Sequence, residues 1–223
     1  YKRQVFYLAA TTALIAVAMI IRLPKLFPAT ADEESSGVVQ VSMWKLVLVP
    51  ALAMTSISMS YGVVSAFLPA SVREADPETG AVLAGFMLSL IGAMTFIFRL
   101  VSGTVADRTG KPGMLMIPMQ FLGLFSMLLM ATATFAGWSI WWLVLSALLF
   151  GAAFGGMQNE ALLSMFDRLP RHKFSEASAV WNIFYDAGTG LGSLALGALV
   201  AGYGYGGTYL AAAGIVFMLI ILT

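Results

Sequence analysis

The amino-acid sequence predicts an all-α integral membrane protein, and three observations lead to that fold class. Of the 223 residues, 60% are hydrophobic and only 10% are charged, whereas a soluble domain is about half apolar and roughly a quarter charged. The apolar residues fall into seven runs, each close to the about 20 residues that a helix needs to cross a bilayer. Nearly all charged residues lie between those runs. A globular core of this size has no use for so much apolar surface.

Each of the seven runs is predicted to form one transmembrane helix. In chain order they cover residues 5–21, 46–70, 81–102, 114–136, 139–165, 177–202 and 207–222. The link between the first two contains prolines, an acidic run and the sequence Ser-Ser-Gly, a composition typical of a flexible connection. We therefore expect three parts: a helical segment at 1–21, a central linker at 22–45 and a six-helix transmembrane bundle at 46–223.

The basic residues predict the direction of the chain across the membrane. Because consecutive helices place alternate connections on opposite sides, one side collects Arg22, Lys25, Lys45, Arg108, Lys111, Arg168, Arg171 and Lys173. The other side holds only Lys2, Arg3 and Arg73. The positive-inside rule makes the first side cytoplasmic, so the chain is expected to end in the cytoplasm. The absence of cysteine fits a bacterial plasma membrane.

Composition also argues against several classes of protein. A net charge of +1 offers no basic face to a nucleic acid. The single histidine, His172, lies in a basic loop without the partners that a metal site or a catalytic dyad needs. We therefore expect no catalytic residue, no metal and no cofactor. The expected partners are the lipid bilayer and a small solute.

A short internal repeat indicates that the chain is the second part of a longer protein. The sequence Tyr-Leu-Ala-Ala occurs at 7–10 and again at 209–212, in the first and the last predicted helix. If the two helices are equivalent, the six helices after the linker are one repeat and the first helix ends the previous one. Parallel six-helix repeats are one transporter architecture. We expect an N-terminal half of the same transporter to precede Tyr1.

The connection after the third predicted helix carries the most specific motif. Within "RLVSGTVADRTGKP" (99–112), a small residue allows close helix packing, an acidic residue meets a helix N-terminus or a cation, a second glycine supports a tight turn and two basic residues hold the cytoplasmic surface. These positions are Gly103, Asp107, Arg108, Gly110 and Lys111. The pattern resembles the signature loop of the major facilitator superfamily, with Lys111 where arginine is usual.

A second resemblance extends over the fifth and sixth predicted helices. The turn Asp-Arg-Leu-Pro at 167–170 precedes a helix with the pattern Asp-x-Gly-x-Gly-x-Gly-Ser at 186–193. Both are similar to the tenth and eleventh helices of drug and metabolite exporters in that superfamily. The resemblance implies that the seven helices correspond to the family's sixth to twelfth. It also implies alternating access, in which two bundles rock about a cavity and an ion gradient supplies the energy.

Polar groups at membrane depth are the candidate transport residues, because an intramembrane charge is costly and is a functional hypothesis by default. Asp186 lies near the middle of its predicted helix, and Asn182 shares its face. A carboxyl group in that position binds and releases a proton in each cycle, or acts as a structural strut. Glu160 is expected to face the inner mouth of the cavity, the wetted interface or the basic loop. Arg99 lies about one turn from the cytoplasm. Its long side chain is expected either to anchor the helix at the membrane surface or to pair with an acidic residue.

Further residues are candidates for lining a cavity or for packing helices. The candidate cavity-lining residues are Ser56, Ser60, Tyr61, Gln158 and Asn159. For the serines the alternative is a hydrogen bond to the backbone of their own helix. Four glycines spaced as small-x-x-x-small pairs are expected to let helices approach closely. They are Gly151, Gly155, Gly188 and Gly192. Gly188, Gly190 and Gly192 do not predict a phosphate loop, because no strand precedes them.

Four functions remain as alternatives at this point. The first is a proton-coupled exporter of drugs or metabolites. The second reverses the direction, as a symporter or facilitator that imports sugars or organic acids. A membrane enzyme and a non-transporting scaffold are less favoured, since the chain lacks converging catalytic side chains and carries a carboxylate at membrane depth.

Overall fold

The computed structural model describes residues 43–223 of the chain. The predicted helix at 5–21, its repeat sequence, four of the basic residues counted above and most of the linker lie outside the described residues. The chain divides into two units, Tyr1–Gln40 and Val41–Thr223. The structure below is that of the second unit.

The described part consists of helices joined by short turns. They are α1 (Met43–Ala75), α2 (Gly80–Thr109), α3 (Met116–Phe135), α4 (Ile140–Asp167), α5 (Phe174–Leu191) and α6 (Val200–Ile220). A short 3-10 turn, Arg171–Lys173, precedes α5. A π-helical turn, Gly192–Leu196, and a second 3-10 turn, Gly197–Leu199, join α5 to α6. Within residues 43–223 the predicted all-α, multi-pass character is confirmed.

Five helical stretches of the described part are long and apolar enough to cross a membrane: α1 to α4 and the 50-residue stretch Arg171–Ile220. A straight helix of that last length would extend about 75 Å, more than twice the about 30 Å of a bilayer core. It is broken at Gly204, where φ is 66° and ψ is −176°, a conformation that glycine adopts without steric cost. Beyond the break, the Tyr209 hydroxyl lies 2.8 Å from Ser71 Oγ of α1.

This contact means that the chain turns back at Gly204 and crosses the bundle twice after α4. The sequence predicts two separate helices here, joined over 203–206, and the break lies within that connection. The predicted count of seven transmembrane helices is not reached in the described part, because the first predicted helix lies outside it.

The two ends of the bundle differ in charge. At one end the Arg168 guanidinium donates to the Leu46 carbonyl oxygen over 3.2 Å, and the rings of Phe166 and Phe174 stack 4.5 Å apart. This basic end carries Lys45, Arg108, Lys111, Arg168, Arg171 and Lys173. At the opposite, acidic end, Arg73 in the last turn of α1 is followed by Glu74, Asp76 and Glu78 and by no further basic residue before α2.

Glycines set the closest helix contacts in the bundle. A Cβ atom added to Gly155 of α4 would overlap the backbone of Thr95 in α2, and one added to Gly151 would meet the backbone of Ile91. On the other side of the bundle, a Cβ atom on Gly192 would overlap the backbone of Met59 in α1. Gly188 lies in the same contact. All four predicted packing glycines therefore lie where another helix approaches closely.

Burial is concentrated in two helices. In the most apolar 18-residue window of α1 and of α4, 67% of the residues are buried, against 17% in α2. One face of α2 instead exposes large apolar side chains, among them Val82, Phe86, Phe96 and Leu100. The helices α1 and α4 thus form the centre of the bundle. The candidate site lies beside these two helices.

Candidate functional site

Asp186 lies on an open face of α5. It is 12 residues after Phe174, about 18 Å along the helix axis. Its side chain is exposed within the described bundle, as is that of Asn182 one turn earlier. One turn later, nothing lies within 4 Å of a Cβ atom added to Gly190. The three positions form a continuous polar or small strip that faces open space.

The same helix presents a closed face next to this strip. Gly188 and Gly192 contact α1, as described above. On the open strip, the side-chain amide of Asn182 donates to the Ser178 carbonyl oxygen of its own helix over 2.8 Å. Because 3.6 residues make one turn, residues two apart point in very different directions. The helix therefore uses its small residues for packing and leaves Asp186 outside the contact.

Arg99 lies deeper in its helix than the sequence predicts. The apolar run ends at 102, which placed Arg99 about one turn from the membrane surface. The helix α2 continues to Thr109, so that Arg99 is ten residues, or about 15 Å, from its end. Its side chain is exposed within the described bundle. Arg99 lies at a level of the bundle similar to that of Asp186, because both residues are near Tyr185.

Tyr185 connects these two charged residues to the wall of the bundle. Its hydroxyl lies within electrostatic range of the charged groups of Arg99 and Asp186, and the Tyr61 hydroxyl is also near it. The arrangement brings one residue each from α1 and α2 together with two from α5. Sequence reasoning selected Asp186, Arg99 and Tyr61 separately and missed Tyr185, the residue that lies between them.

Aromatic rings continue from Tyr185 into the bundle. Trp181 stacks on Tyr185 with ring centroids 5.5 Å apart, and Phe154 lies 6.1 Å from Tyr185 on the other side. Phe154 in turn stacks on Tyr61 at 4.2 Å. The indole N–H of Trp181 is buried and has no hydrogen-bond partner among the described residues. The spacing of Trp181 and Tyr185, four residues apart on one helix, is the signal that could have found this cluster.

A small cavity of about 270 Å³ adjoins the Tyr61 and Phe154 rings. It lies between α1, α2 and α4, and its lining residues are Tyr61, Ser65, Leu88, Ile91, Gly92, Thr95 and Phe154. The lining is mostly apolar with three hydroxyl groups, as in many sites for small solutes. Of the residues predicted to line a cavity, Tyr61 lines this one.

The other predicted cavity residues are buried or tied into the bundle. Ser56 Oγ donates to the Ala53 carbonyl oxygen over 2.7 Å, and Ser60 Oγ to that of Ser56 over 3.1 Å. Both serines are fully buried, so they line no open cavity in the described bundle. Gln158 is buried as well. The backbone hydrogen bonds are the alternative that the sequence leaves open for helical serines.

Glu160 forms a hydrogen-bonded network at the basic end. Ser102 Oγ of α2 donates to Oε1 over 3.0 Å, and the backbone N–H of Leu115 donates to Oε2 over 3.1 Å. Asn159 Nδ2 completes the network by donating to Ser102 Oγ over 3.0 Å. Leu115 directly precedes α3, so the positive end of that helix dipole faces the carboxylate.

This network gives Glu160 a structural position. Its side chain is 1% exposed and joins α4 to α2 and to the start of α3. It therefore faces neither an open cavity mouth nor a wetted interface. What it meets is the backbone at the end of the loop between α2 and α3. The hydrogen-bonding role of Ser102 and of the Leu115 N–H was not predicted.

The signature loop follows its predicted form at Gly110 and departs from it at Gly103. Gly110 ends α2 with φ at 64° and donates its N–H to the Ala106 carbonyl oxygen over 2.9 Å. A Cβ atom on Gly103 would have only the Asn159 amide nitrogen near it, at 3.5 Å, an ordinary contact. Asp107, Arg108 and Lys111 are exposed. Close packing at Gly103 is thus not required by the described helices.

Comparison with known proteins now gives the family. The family model of the Major Facilitator Superfamily matches residues 2–185. The chain belongs to the Major Facilitator Superfamily. No curated protein matches it.

A solved structure shows the same fold. The crystal structure of the POT family transporter PepTSo is similar to this chain with a TM-score of 0.69 and 14% sequence identity, over 79% of this chain and 36% of that one. At this identity the similarity concerns the fold. The chain spans little more than a third of the length of that transporter. The family and the long apolar helices of the described part together show a multi-pass membrane protein.

Proposed function

We propose that the chain is the second part of a secondary active transporter that moves a small solute by alternating access. In this proposal residues 1–21 form the last helix of an N-terminal bundle, 22–45 a cytoplasmic linker and 46–223 the C-terminal six-helix bundle. Seven helices result, equivalent to the superfamily's sixth to twelfth. The family match and the helical fold support the proposal. Transport requires the other bundle of the same protein, which encloses the cavity from the opposite side.

The observation that carries the proposal is the position of Asp186. It lies on an open face near the middle of its predicted transmembrane helix, within electrostatic range of Tyr185, which is also within range of Arg99. When the carboxyl group binds a proton, the net charge of this face changes by one unit, while the Arg99 guanidinium keeps its charge. The binding of a charged solute and of a proton are thereby linked, because each changes the free energy of the other. Asp186 is the proposed proton-coupling residue.

The proposed direction is export of drugs or metabolites. It is supported by the turn at 167–170 and by the Asp-x-Gly-x-Gly-x-Gly-Ser pattern at 186–193, which resemble exporters. The aromatic cluster of Tyr61, Phe154, Trp181 and Tyr185 offers flat apolar surfaces to an aromatic or amphipathic solute. One observation favours a second candidate: Arg99 is an exposed cation at depth, which suits import of an organic acid by symport.

The proposed location is the plasma membrane of a bacterium with the basic end in the cytoplasm. The concentration of Lys and Arg at that end, against Arg73 in the last turn of α1 at the opposite end, supports this direction. The end of α6 then faces the cytoplasm. A cysteine accessibility scan would test it: a cysteine at Lys111 should react only after the membrane is made permeable, and one at Glu78 before.

Transport in proteoliposomes tests the function. The complete transporter is reconstituted, and exchange of ethidium, as an aromatic drug, and of lactate, as an organic acid, is followed with and without an imposed proton gradient. Ethidium is expected to move in the direction opposite to the flow of protons. Lactate uptake that follows inward proton flow would replace export by the second candidate. Absence of exchange for both classes, together with unchanged internal pH, would contradict a proton-coupled carrier of either kind.

A further inference from the structure

A second and larger cavity lies at the acidic end of the bundle, away from Asp186. Its volume is about 630 Å³, within the roughly 300–1,000 Å³ of sites for small molecules. It is formed where α1 ends, where α3 passes into α4 and where the chain turns at Gly204. Nothing in the proposed transport cycle uses this cavity.

Four aromatic side chains and one carboxylate line this cavity. The aromatic residues are Phe135, Trp138, Tyr203 and Tyr205. The carboxylate is that of Glu74, at the end of α1. Tyr203 and Tyr205 stand on either side of Gly204, and the positive φ of this glycine lets both contribute to one cavity. Lysine and arginine do not occur in the lining.

Several contacts hold this lining in place. Gly206 lies against the Phe135 ring, since an added Cβ atom would come within 3.0 Å of it. The Tyr205 ring packs 6.4 Å from that of Phe67. Below them, the buried hydroxyls of Ser71 and Tyr209 are joined by a hydrogen bond of 2.8 Å. The bundle therefore supports the cavity on the side of Tyr205 and Ser71, while Phe135, Trp138 and Tyr203 remain exposed at its open side, where a ligand can reach them.

The charge of Glu74 is available to a ligand. Asp76, two residues later, already accepts hydrogen bonds from the backbone N–H groups of Glu78 and Thr79. The salt bridge of the described region joins Lys173 to Glu176 at the opposite end. Glu74 is exposed and forms no ion pair with any described residue. The surrounding connection is acidic, which raises the local concentration of cations.

We propose that this cavity binds an organic ammonium group, with the cation above the aromatic faces and Glu74 as its counter-charge. Aromatic rings attract cations through their quadrupole, and trimethylammonium groups are held in this way by aromatic cages. The same chemistry is present in a free solute such as choline and in a lipid headgroup. The site is separate from Asp186 and does not depend on the proposed coupling.

Equilibrium binding of radiolabelled choline to the purified protein tests this proposal. The protein is placed in nanodiscs of phosphatidylglycerol, which has no ammonium group, and saturable binding is expected. Glu74→Gln and Trp138→Leu should each weaken binding about fivefold, and Trp138→Phe, which keeps an aromatic ring, should restore most of it. Glu78→Gln, an acidic residue of the same connection outside the cavity lining, is the matched control and should leave the affinity unchanged.

A second arm distinguishes the two sources of the ammonium group. In nanodiscs that contain phosphatidylcholine, the lipid headgroup competes with free choline if it reaches the cavity, and the apparent affinity falls. An unchanged affinity assigns the site to a free solute. Both results support an ammonium site. Absence of saturable choline binding, or equal affinity of the wild type, Glu74→Gln and Trp138→Leu in folded protein, would overturn the proposal.

Discussion

Among the described residues, two carboxylates lie inside the predicted apolar runs, and their surroundings differ in burial and in hydrogen bonding. Glu160 is 1% exposed and accepts hydrogen bonds from Ser102 and from the backbone of Leu115. Asp186 is exposed and accepts no hydrogen bond from any described residue. The first belongs to a closely packed region of α2, α3 and α4. The second belongs to the open face of α5.

The difference separates the structural position of Glu160 from the position proposed to be functional at Asp186. A buried carboxylate that accepts two hydrogen bonds is fixed, because a change of its charge weakens the bonds from those donors. A carboxylate on an open face can exchange a proton without disturbing the packing of its helix. The packing of α5 depends instead on the glycines of its opposite face. Sequence position alone does not distinguish the two, since both lie inside apolar runs.

The largest expected effect on stability is that of removing the Glu160 carboxylate. Glu160→Ala leaves the Ser102 hydroxyl and the Leu115 N–H without their acceptor and creates a void. We expect the free energy of unfolding to fall by about 3 kcal/mol. Asp186→Ala is the matched control, with an expected change below about 0.5 kcal/mol. Unfolding in detergent titrations measures both, and equal losses would remove the distinction between the two carboxylates.

A smaller effect is expected from adding one methyl group to the α2–α4 contact or to the open face of α5. A Cβ atom on Gly155 would overlap the backbone of Thr95, so Gly155→Ala should lower the free energy of unfolding by about 2 kcal/mol. At Gly190, one turn after Asp186, nothing lies within 4 Å. Gly190→Ala should therefore raise stability by roughly 0.5 kcal/mol. If both glycines tolerate alanine equally, the α2–α4 contact is not as close as described.

Ser102 is expected to contribute less than Glu160, because it supplies one hydrogen bond of the network. Ser102→Ala should lower the free energy of unfolding by about 1 kcal/mol. Since Ser102 also accepts from Asn159, its effect depends on its neighbours. A double-mutant cycle with Glu160→Gln measures that coupling. Strictly additive losses would show that the two side chains do not act together.

The smallest effect concerns a third carboxylate, at the acidic end and outside the helices. Hydrogen bonds from Thr79 and Glu78 lower the pKa of Asp76 below its usual value of 3.8. The stabilisation is present above that unfolded value and is lost as the pH falls through the lower folded value. Asp76→Ala should lower the melting temperature slightly at pH 7 and not at about pH 2. Glu78→Ala, which leaves the Asp76 contacts in place, is the control.

Most of the helical layout follows from the apolar runs, and its errors have a physical cause. The run at 114–136 corresponds closely to α3, Met116–Phe135. The run at 81–102 ends seven residues before α2 does. Hydropathy falls where charged residues begin, but the backbone remains helical until Gly110 adopts a positive φ. This difference is the reason that Arg99 lies further from the end of α2 than from the end of the apolar run.

The candidate site is less accessible to sequence reasoning because it depends on contacts between distant segments. Asp186 and its face follow from helical periodicity alone. The partner of Glu160 is a backbone N–H 45 residues away in the chain, which no pattern of side chains encodes. Likewise, the direction in which Ser56 and Ser60 point is decided by the packing of α1. Asp186 follows Tyr185 in the chain, but Arg99 comes near Tyr185 only because α2 packs in the same bundle.

The central claim is that Asp186 couples transport to protons while Glu160 holds the bundle together. Ethidium transport by the complete transporter in proteoliposomes tests it, with Asp186→Asn compared with Glu160→Gln, both shown to be folded. Asp186→Asn should lose accumulation driven by the proton gradient and keep exchange without a gradient, while Glu160→Gln should keep its response to the gradient. Gradient-driven accumulation that is undiminished in Asp186→Asn would contradict the account.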